Sequence, residues 1–373
     1  MKKIVVLGSG MVGRIMALDL AAEFEVTAVD VRRDNLARLD GTAVRTVQAD
    51  LSSPAALRGV IRDCDLVIGS VPGSLGFATL REVIAAGRDI VDISFFPEDA
   101  LALDEAARTA GVTAVVDCGV APGMTNMILG YHAARMTVDR FACYVGGLPF
   151  RREFPFEYKA PFSPADVVEE YIRPARYVEN GHVVVRPALS DVETMDFPEI
   201  GTLEAFNSDG LRSLLRTMKV PNMIEKTLRY PGHVELIRAL RDSGFFGTEE
   251  IEVRGCRVRP LDATSAVLFK QWFLREEDDE FTVMRILVEG TADGRPARIQ
   301  YDLFDRRDRA TGFSSMARTT GFPATAAARL VLAGRFRRKG ISPPEFLGAD
   351  EAVFRAVMDD LAARQVIYRK TEL

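Results

Sequence analysis

Six residues near the start of the chain, Gly8-Ser9-Gly10-Met11-Val12-Gly13, have the types and spacing to hold a pyrophosphate. The first glycine permits a tight turn, the second lets backbone approach the anion, and the third lets a helix pack against the preceding strand. N–H groups at the start of that helix then face the phosphates. The next apolar run, "EVTAVD", ends in Asp30. A carboxylate there is placed to accept hydrogen bonds from the adenosine ribose and to repel a 2′-phosphate, which favours NAD over NADP. Arg32 and Arg33 weaken that preference, because a guanidinium can pair with a 2′-phosphate. Other positions expected around the same ligand are Val31 and Arg32, then Asp50 and Leu51 flanking the adenine. Ser70, Val71 and Pro72 are expected under the pyrophosphate and ribose, and Ser94, Cys118 and Gly119 near the nicotinamide.

The elements that must position these residues are legible as alternating runs. "KIVVL", "EVTAVD", "VRTVQAD", "DLVIGSV", "DIVDISF" and "VTAVVD" read as strands, and helix-length stretches separate them. Strands alternating with helices imply a parallel sheet covered on both faces. After residue 121 the character changes. "RFACYVGGLPF", "RYVENGHVVV", "TLEAFN" and "IEKTLRY" read as strands, and Asn180-Gly181 marks a hairpin. Asp293-Gly294 is a second hairpin turn, between "FTVMRILVEGTA" and "RPARIQYDLF", and helices are expected near 231–243 and 261–274. The last stretch is helical again, with a short strand "QVIYR". The expected fold is α/β. A Rossmann-type doubly wound parallel sheet is formed by 1–121 plus 312–373. An inserted α/β domain, 122–311, carries a mainly antiparallel sheet.

With 47% hydrophobic and 27% charged residues among 373, the composition is that of a globular chain. A net charge of −5 gives no nucleic-acid footprint, and the basic cluster "RFRRKG" is short. Four cysteines without regular spacing make no disulfide framework and fit a reducing, cytoplasmic compartment. The opening strand pattern shows no signal peptide, and the longest charge-free run, 118–134, is broken by Gly, Pro, Asn and His, so no membrane span is expected. The three histidines, His132, His182 and His233, have no metal-ligand spacing, and no metal is expected.

The fingerprint, together with "VTAVVDCGVAPGMTNMILG", "EYKAPFSPADVVEEYIRPARYVENG" and "TTGFPATAAARLVLAG", resembles the saccharopine dehydrogenase-like family across nearly the whole chain. Within it these segments look most like the lysine 6-dehydrogenase branch. The resemblance implies NAD-dependent oxidation of the terminal C–N bond of L-lysine or a close amino acid, giving a semialdehyde that can cyclise. Two departures steer the reading away from saccharopine. Ala121 stands where saccharopine reductases carry an acid, and Asn207-Ser208-Asp209 lacks the arginine of their "NRD" segment.

Such a reaction needs a carboxylate clamp, a partner for the α-ammonium group and a proton carrier. Arg173 and Arg229 are candidates for the clamp, Asn207 lies in the same substrate region, and Glu169 can face the ammonium group. His233, Asp92 and Asp117 compete for the proton-transfer role. A reductase joining an amine to a semialdehyde, as in saccharopine or carboxynorspermidine formation, is the alternative. A non-catalytic NAD-binding sensor is the reading from another class. A small-molecule amino-acid substrate and a homodimer through the inserted sheet are the expected partners.

Overall fold

The computed structural model describes every residue except Glu276. The six apolar runs of the first third become β1 (Lys3–Leu7), β2 (Glu25–Asp30), β3 (Arg45–Gln48), β4 (Leu66–Gly69), β5 (Asp89–Asp92) and β6 (Thr113–Val115). A late segment, β17 (Gly340–Ser342), joins them, and the sheet runs β17-β6-β5-β4-β1-β2-β3. Every pairing in it is parallel. Central strands of such a sheet are covered on both faces, which is why β4, "LVIG", is buried at all its positions. The strand order reverses between β1 and β4, so the crevice for a ligand opens beyond their carboxyl ends. The expected doubly wound parallel sheet is therefore present.

The chain divides into two compact units. The first comprises Met1–Val138, Gly290–Pro296 and Ala317–Tyr368. The sequence boundary at residue 121 moves to 138 because the Met124–Ala133 helix belongs to this unit. Its side chains from Met124 to Leu129 are all buried, and a Cβ at Gly130 would run into the backbone of Glu345. That close approach seats it on the Pro344–Ala349 helix. The returning Ser315–Leu332 and Glu351–Ala363 helices are tied to the Met11–Leu20 helix by charge. Asp19 meets Arg329 at 3.0 Å and Arg364 at 2.7 Å, and Asp360 meets Arg364 at 2.8 Å.

The second unit comprises Asp139–Glu289, Ala297–Met316 and Arg369–Leu373. Its sheet is built from β7 (Thr137–Pro149), β8 (Ala175–Glu179), β9 (His182–Arg186), β10 (Glu193–Phe197), β11 (Gly201–Asn207), β12 (Asn222–Arg229), β15 (Glu280–Ala292), β16 (Arg295–Arg306) and β18 (Tyr368–Glu372). A separate two-stranded hairpin pairs β13 (Ile251–Val253) with β14 (Cys256–Val258). The large sheet is mixed: β12 pairs parallel with β7 and antiparallel with β11 and β8. Both hairpin turns form as their residues dictate, since Asn180-Gly181 and Asp293-Gly294 take positive φ at both positions. The Pro164–Ile172, His233–Asp242 and Pro260–Trp272 helices supply a shared apolar core that includes Val167, Tyr171, Val234, Ile237, Leu268 and Trp272. The expected strand "QVIYR" lies three residues further on, at β18.

Candidate functional site

In the first unit the glycine loop leaves β1 and opens the Met11–Leu20 helix. Gly8 has φ +92°, and its N–H donates to Val29 O at 2.8 Å. A Cβ on Gly13 would run into Gly8 O and lie 2.5 Å from Ser70 Oγ. The helix can therefore sit this close to β1 and β4 only with glycine at position 13. Gly10 is the opposite case, because a Cβ there meets nothing within 4 Å. Among the described residues, the N-terminus of the helix has no side-chain cap and the buried Ser9 Oγ has no hydrogen-bond partner. An uncapped helix start, an open glycine face and an orphaned hydroxyl fit a dinucleotide pyrophosphate.

Asp30 ends β2 beside this loop and is 8% exposed. It accepts the N–H of Ser9 at 2.8 Å and of Arg32 at 2.7 Å, and the Asn35 amide at 3.0 Å. Met11 and Val12 are half-buried in the first helical turn, while Val31 and Arg32 are exposed just past β2. Ser70 Oγ lies 2.8 Å from Gly8 O, and Pro72 precedes the Gly73–Ala85 helix. Asp50 is exposed, and its carboxylate takes the hydroxyl and N–H of Ser52, which hold its pKa below the usual value. Leu51 and Val71 point the other way, into the core of the sheet.

The strand ends expected near the nicotinamide are brought together but turned inward. Asp92 is buried, and one of its oxygens accepts both the N–H of Ser94 at 3.0 Å and its hydroxyl at 2.8 Å. That closes a local turn, while Asp92 O accepts Cys118 N–H at 3.0 Å. Cys118 is fully buried with its Sγ 3.8 Å from Pro323 O, and burial pushes its thiol up to about 12. A Cβ on Gly119 would lie 3.1 Å from Thr320, so the Ser315–Leu332 helix covers this side of the elbow. Asp117 is buried with φ 53°, and Asn126 reaches back to Gly123 N–H at 3.3 Å and across to Glu345 at 3.3 Å.

In the second unit the expected substrate residues fall into a half-buried pair and two buried clusters. Glu169 and Arg173 pair with each other at 3.2 Å along one helix face. The neighbouring Glu170 takes the inward place and meets Arg229 at 2.8 Å. Arg229, at the end of β12, is 2% exposed. Its guanidinium stacks 4.4 Å from the Tyr158 ring centroid, and its Nε donates to the Tyr171 hydroxyl at 3.2 Å. Tyr171 in turn lies 3.0 Å from His233 Nε2, and His233 Nδ1 lies 2.8 Å from Phe156 O. The carbonyl requires Nδ1 to carry the proton, so Nε2 accepts from the tyrosine. Burial and then the Arg229 charge lower His233 to about 3. The ring is neutral, 2% exposed and engaged at both nitrogens, so the geometry uses His233 to orient Tyr171 and does not leave it available to carry a proton.

Trp272 completes this cluster with its indole N–H buried and, among the described residues, unpartnered. Burial raises Glu170 above the ordinary carboxylate value against the pull of Arg229, and raises Tyr171 to about 12. Asn207 lies in the other cluster, where its amide donates to Ser190 Oγ at 3.1 Å and Asp191 at 2.7 Å. Next to it, Asp209 accepts from the backbone N–H, Nε and Nη2 of Arg176. Tyr158, Glu170, Tyr171 and Trp272 carry no local motif. Only the apolar helix face shared by Val167, Val168 and Tyr171 pointed toward them.

One further titratable group stands apart from every sequence motif. Glu280 is 1% exposed, and its carboxylate accepts the N–H groups of Ser315 and Met316 at the start of the Ser315–Leu332 helix. Burial lifts its pKa from 4.5 to about 7, opposed by the two N–H groups. Between those values the folded chain keeps a proton that the unfolded chain has lost, so stability falls as pH rises through that window. The loss amounts to at most ~3 kcal/mol. Urea midpoints at pH 5 are expected to exceed those at pH 7.5, and Glu280→Gln is expected to flatten the difference.

Among the described residues, no group of three or more His, Cys, Asp or Glu side chains could hold a metal ion. No helix among them is long and apolar enough to cross a membrane. A parallel sheet with an open glycine elbow at its switch point defines a dinucleotide-binding α/β protein. The saccharopine dehydrogenase NADP binding domain matches residues 4–115, and the saccharopine dehydrogenase C-terminal domain matches residues 119–367. The chain belongs to the saccharopine dehydrogenase family.

Its relatives include the saccharopine dehydrogenase (NADP(+), L-glutamate-forming) of Pyricularia oryzae, 27% identical over 67% of this chain and 59% of that protein. The mitochondrial alpha-aminoadipic semialdehyde synthase of Bos taurus is 21% identical over 98% of this chain and 47% of its own length. This chain thus spans about half the length of the bovine protein and less than two thirds of the fungal one. The carboxyaminopropylagmatine dehydrogenase of Synechocystis is 22% identical over 94% of each chain. The solved structure of apo saccharopine dehydrogenase (L-Glu forming) from Saccharomyces cerevisiae shares the fold, with a TM-score of 0.80, 20% identity and full coverage of both chains.

Proposed function

We propose that this protein is a nicotinamide-dinucleotide-dependent oxidoreductase acting on the C–N bond of an amino acid, with the ε-amine of L-lysine as its substrate group. The observation that carries the reading is the glycine loop, with its uncapped helix start and orphaned Ser9 hydroxyl, in a chain matched by both family models. The bound dinucleotide supplies the hydride acceptor. Gly8–Gly13 hold the pyrophosphate through backbone N–H groups, and Asp30 and Ser70 fix the loop that presents them.

The choice of lysine is supported by the charges of the second unit. Arg229, Arg176 and Lys226 are each already paired, with Glu170, Asp209 and Glu193 respectively. A substrate with three carboxylates would have to draw on cations other than these three, whereas lysine presents one carboxylate. A second reading, a reductase joining an amine to a semialdehyde, is favoured by the names of the fungal and cyanobacterial relatives. A homodimer is proposed with either reading.

The test is absorbance of reduced nicotinamide at alkaline pH with NAD or NADP and a panel of lysine, ornithine, diamines and saccharopine. The reverse direction uses reduced cofactor with an amine and a semialdehyde. Lysine-dependent reduction is expected. Turnover only with saccharopine, or only with paired amine and semialdehyde, would select the second reading. No signal with any substrate in either direction would leave a nucleotide sensor.

A further inference from the structure

We propose that Asp30 is a positioning residue for the glycine loop, so that its loss weakens NAD and NADP alike and does not exchange one for the other. The inference rests on the dinucleotide reading of Gly8–Gly13. A carboxylate has about four acceptor positions. Three donors already converge on Asp30: Ser9 N–H and the Asn35 amide on one oxygen, Arg32 N–H on the other. About one position is left for a ribose hydroxyl, on a side chain that is 8% exposed.

The three donors come from separate pieces of chain. Ser9 belongs to the phosphate loop, Arg32 to the turn after β2, and Asn35 to the Arg33–Ala37 helix. Asp30 therefore ties the loop to the strand beside it. By fixing the Ser9 N–H it sets the plane of the Gly8–Ser9 peptide, one residue before Gly10, where the backbone is open to the anion. Its negative charge is directed at these N–H groups, while Arg32 and Arg33 lie exposed where the adjoining turn enters the helix. That arrangement does not exclude a 2′-phosphate, and it reconciles an acid at the end of β2 with relatives named for NADP.

The test uses the full chain with Asp30→Asn, which keeps the volume and removes the charge. Affinities for NADH and NADPH are read from nicotinamide fluorescence, those for ADP and adenosine by competition, and folding from the thermal midpoint. Both reduced cofactors are expected to weaken about tenfold, with their ratio changing by less than about threefold, as the loss of one charged hydrogen bond implies. ADP should weaken with them and adenosine should not, because the loop reads the phosphates. Tightened NADPH with weakened NADH, or an adenosine loss equal to that of ADP, would overturn the proposal. Where Asp30→Asn unfolds, Asn35→Ala decides. It removes one tie from outside the loop and is expected to weaken both cofactors equally. No change, or a change confined to one cofactor, would count against the proposal. Wild-type protein that binds neither cofactor would instead sink the dinucleotide reading itself.

Discussion

Replacing Gly13 by valine is expected to lower affinity for the reduced dinucleotide by at least ~100-fold, a loss of about 2.7 kcal/mol. The side chain has nowhere to go. Its first carbon would meet the Gly8 carbonyl and the Ser70 hydroxyl, and the carbonyl belongs to the loop itself. Relief requires the Met11–Leu20 helix to move away from β1, which carries its free N–H groups away from the phosphates. Overpacking of this kind also destabilises by roughly 1–3 kcal/mol, so the thermal midpoint should fall. Gly10→Ala separates the two effects. A methyl group there touches no protein atom within 4 Å, so the midpoint should hold while the affinity drops. Fluorescence titration of both variants checks this. Wild-type affinity in Gly13→Val would mean that the loop holds no pyrophosphate.

Arg229→Met is expected to destabilise the folded chain by ~3–5 kcal/mol, measured by urea unfolding, because it leaves a desolvated carboxylate without its cation. Glu170 would then lose its hydrogen-bonded cation and keep only the weaker pull of the Arg173 charge, opposed by Asp166. The double variant with Glu170→Gln should recover part of the loss, since both charges leave together. Glu170→Gln alone separates scaffold from clamp. If Arg229 only braces the cluster, the single change alters stability and leaves KM for lysine unchanged. If Arg229 also takes the substrate carboxylate, freeing it from Glu170 lowers KM.

The central strands of the parallel sheet are legible because each is an apolar run that the fold covers on both sides, whereas β3 is a half-exposed edge strand. β17 is not legible. It has three residues, begins on the last residue of the basic "RFRRKG", and takes its place only by pairing with β6 more than two hundred residues earlier. The glycine loop is legible because its geometry demands glycine at fixed spacing. The partners of Asp30 are not, because two of the three are backbone N–H groups, which any residue supplies. Glu169 and Glu170 show the limit most directly. At about 100° per residue, the centre of the apolar face formed by Val167, Val168, Tyr171 and Ile172 lies about 130° from each glutamate, on opposite sides. Only Arg229, brought in by β12, breaks the tie. The strand-to-helix handover at Asp117–Asn126 is visible in its glycines and proline, and so is a helical return at 312–373, but not that the returning helix lies over Cys118 and Gly119.

The dinucleotide unit of this protein is assembled from stretches that lie far apart along the chain. A ribosome that has delivered β6 must still make more than two hundred residues before β17 and the Pro344–Ala349 helix emerge. At about 5–20 residues per second that is roughly 10–45 s. Throughout that interval β6 has a bare edge and the Met124–Ala133 helix lacks the surface against which Gly130 is fitted. The nascent chain therefore passes through a prolonged stage in which the unfinished nucleotide unit waits for these later elements, and chaperone demand during translation should rise with that delay.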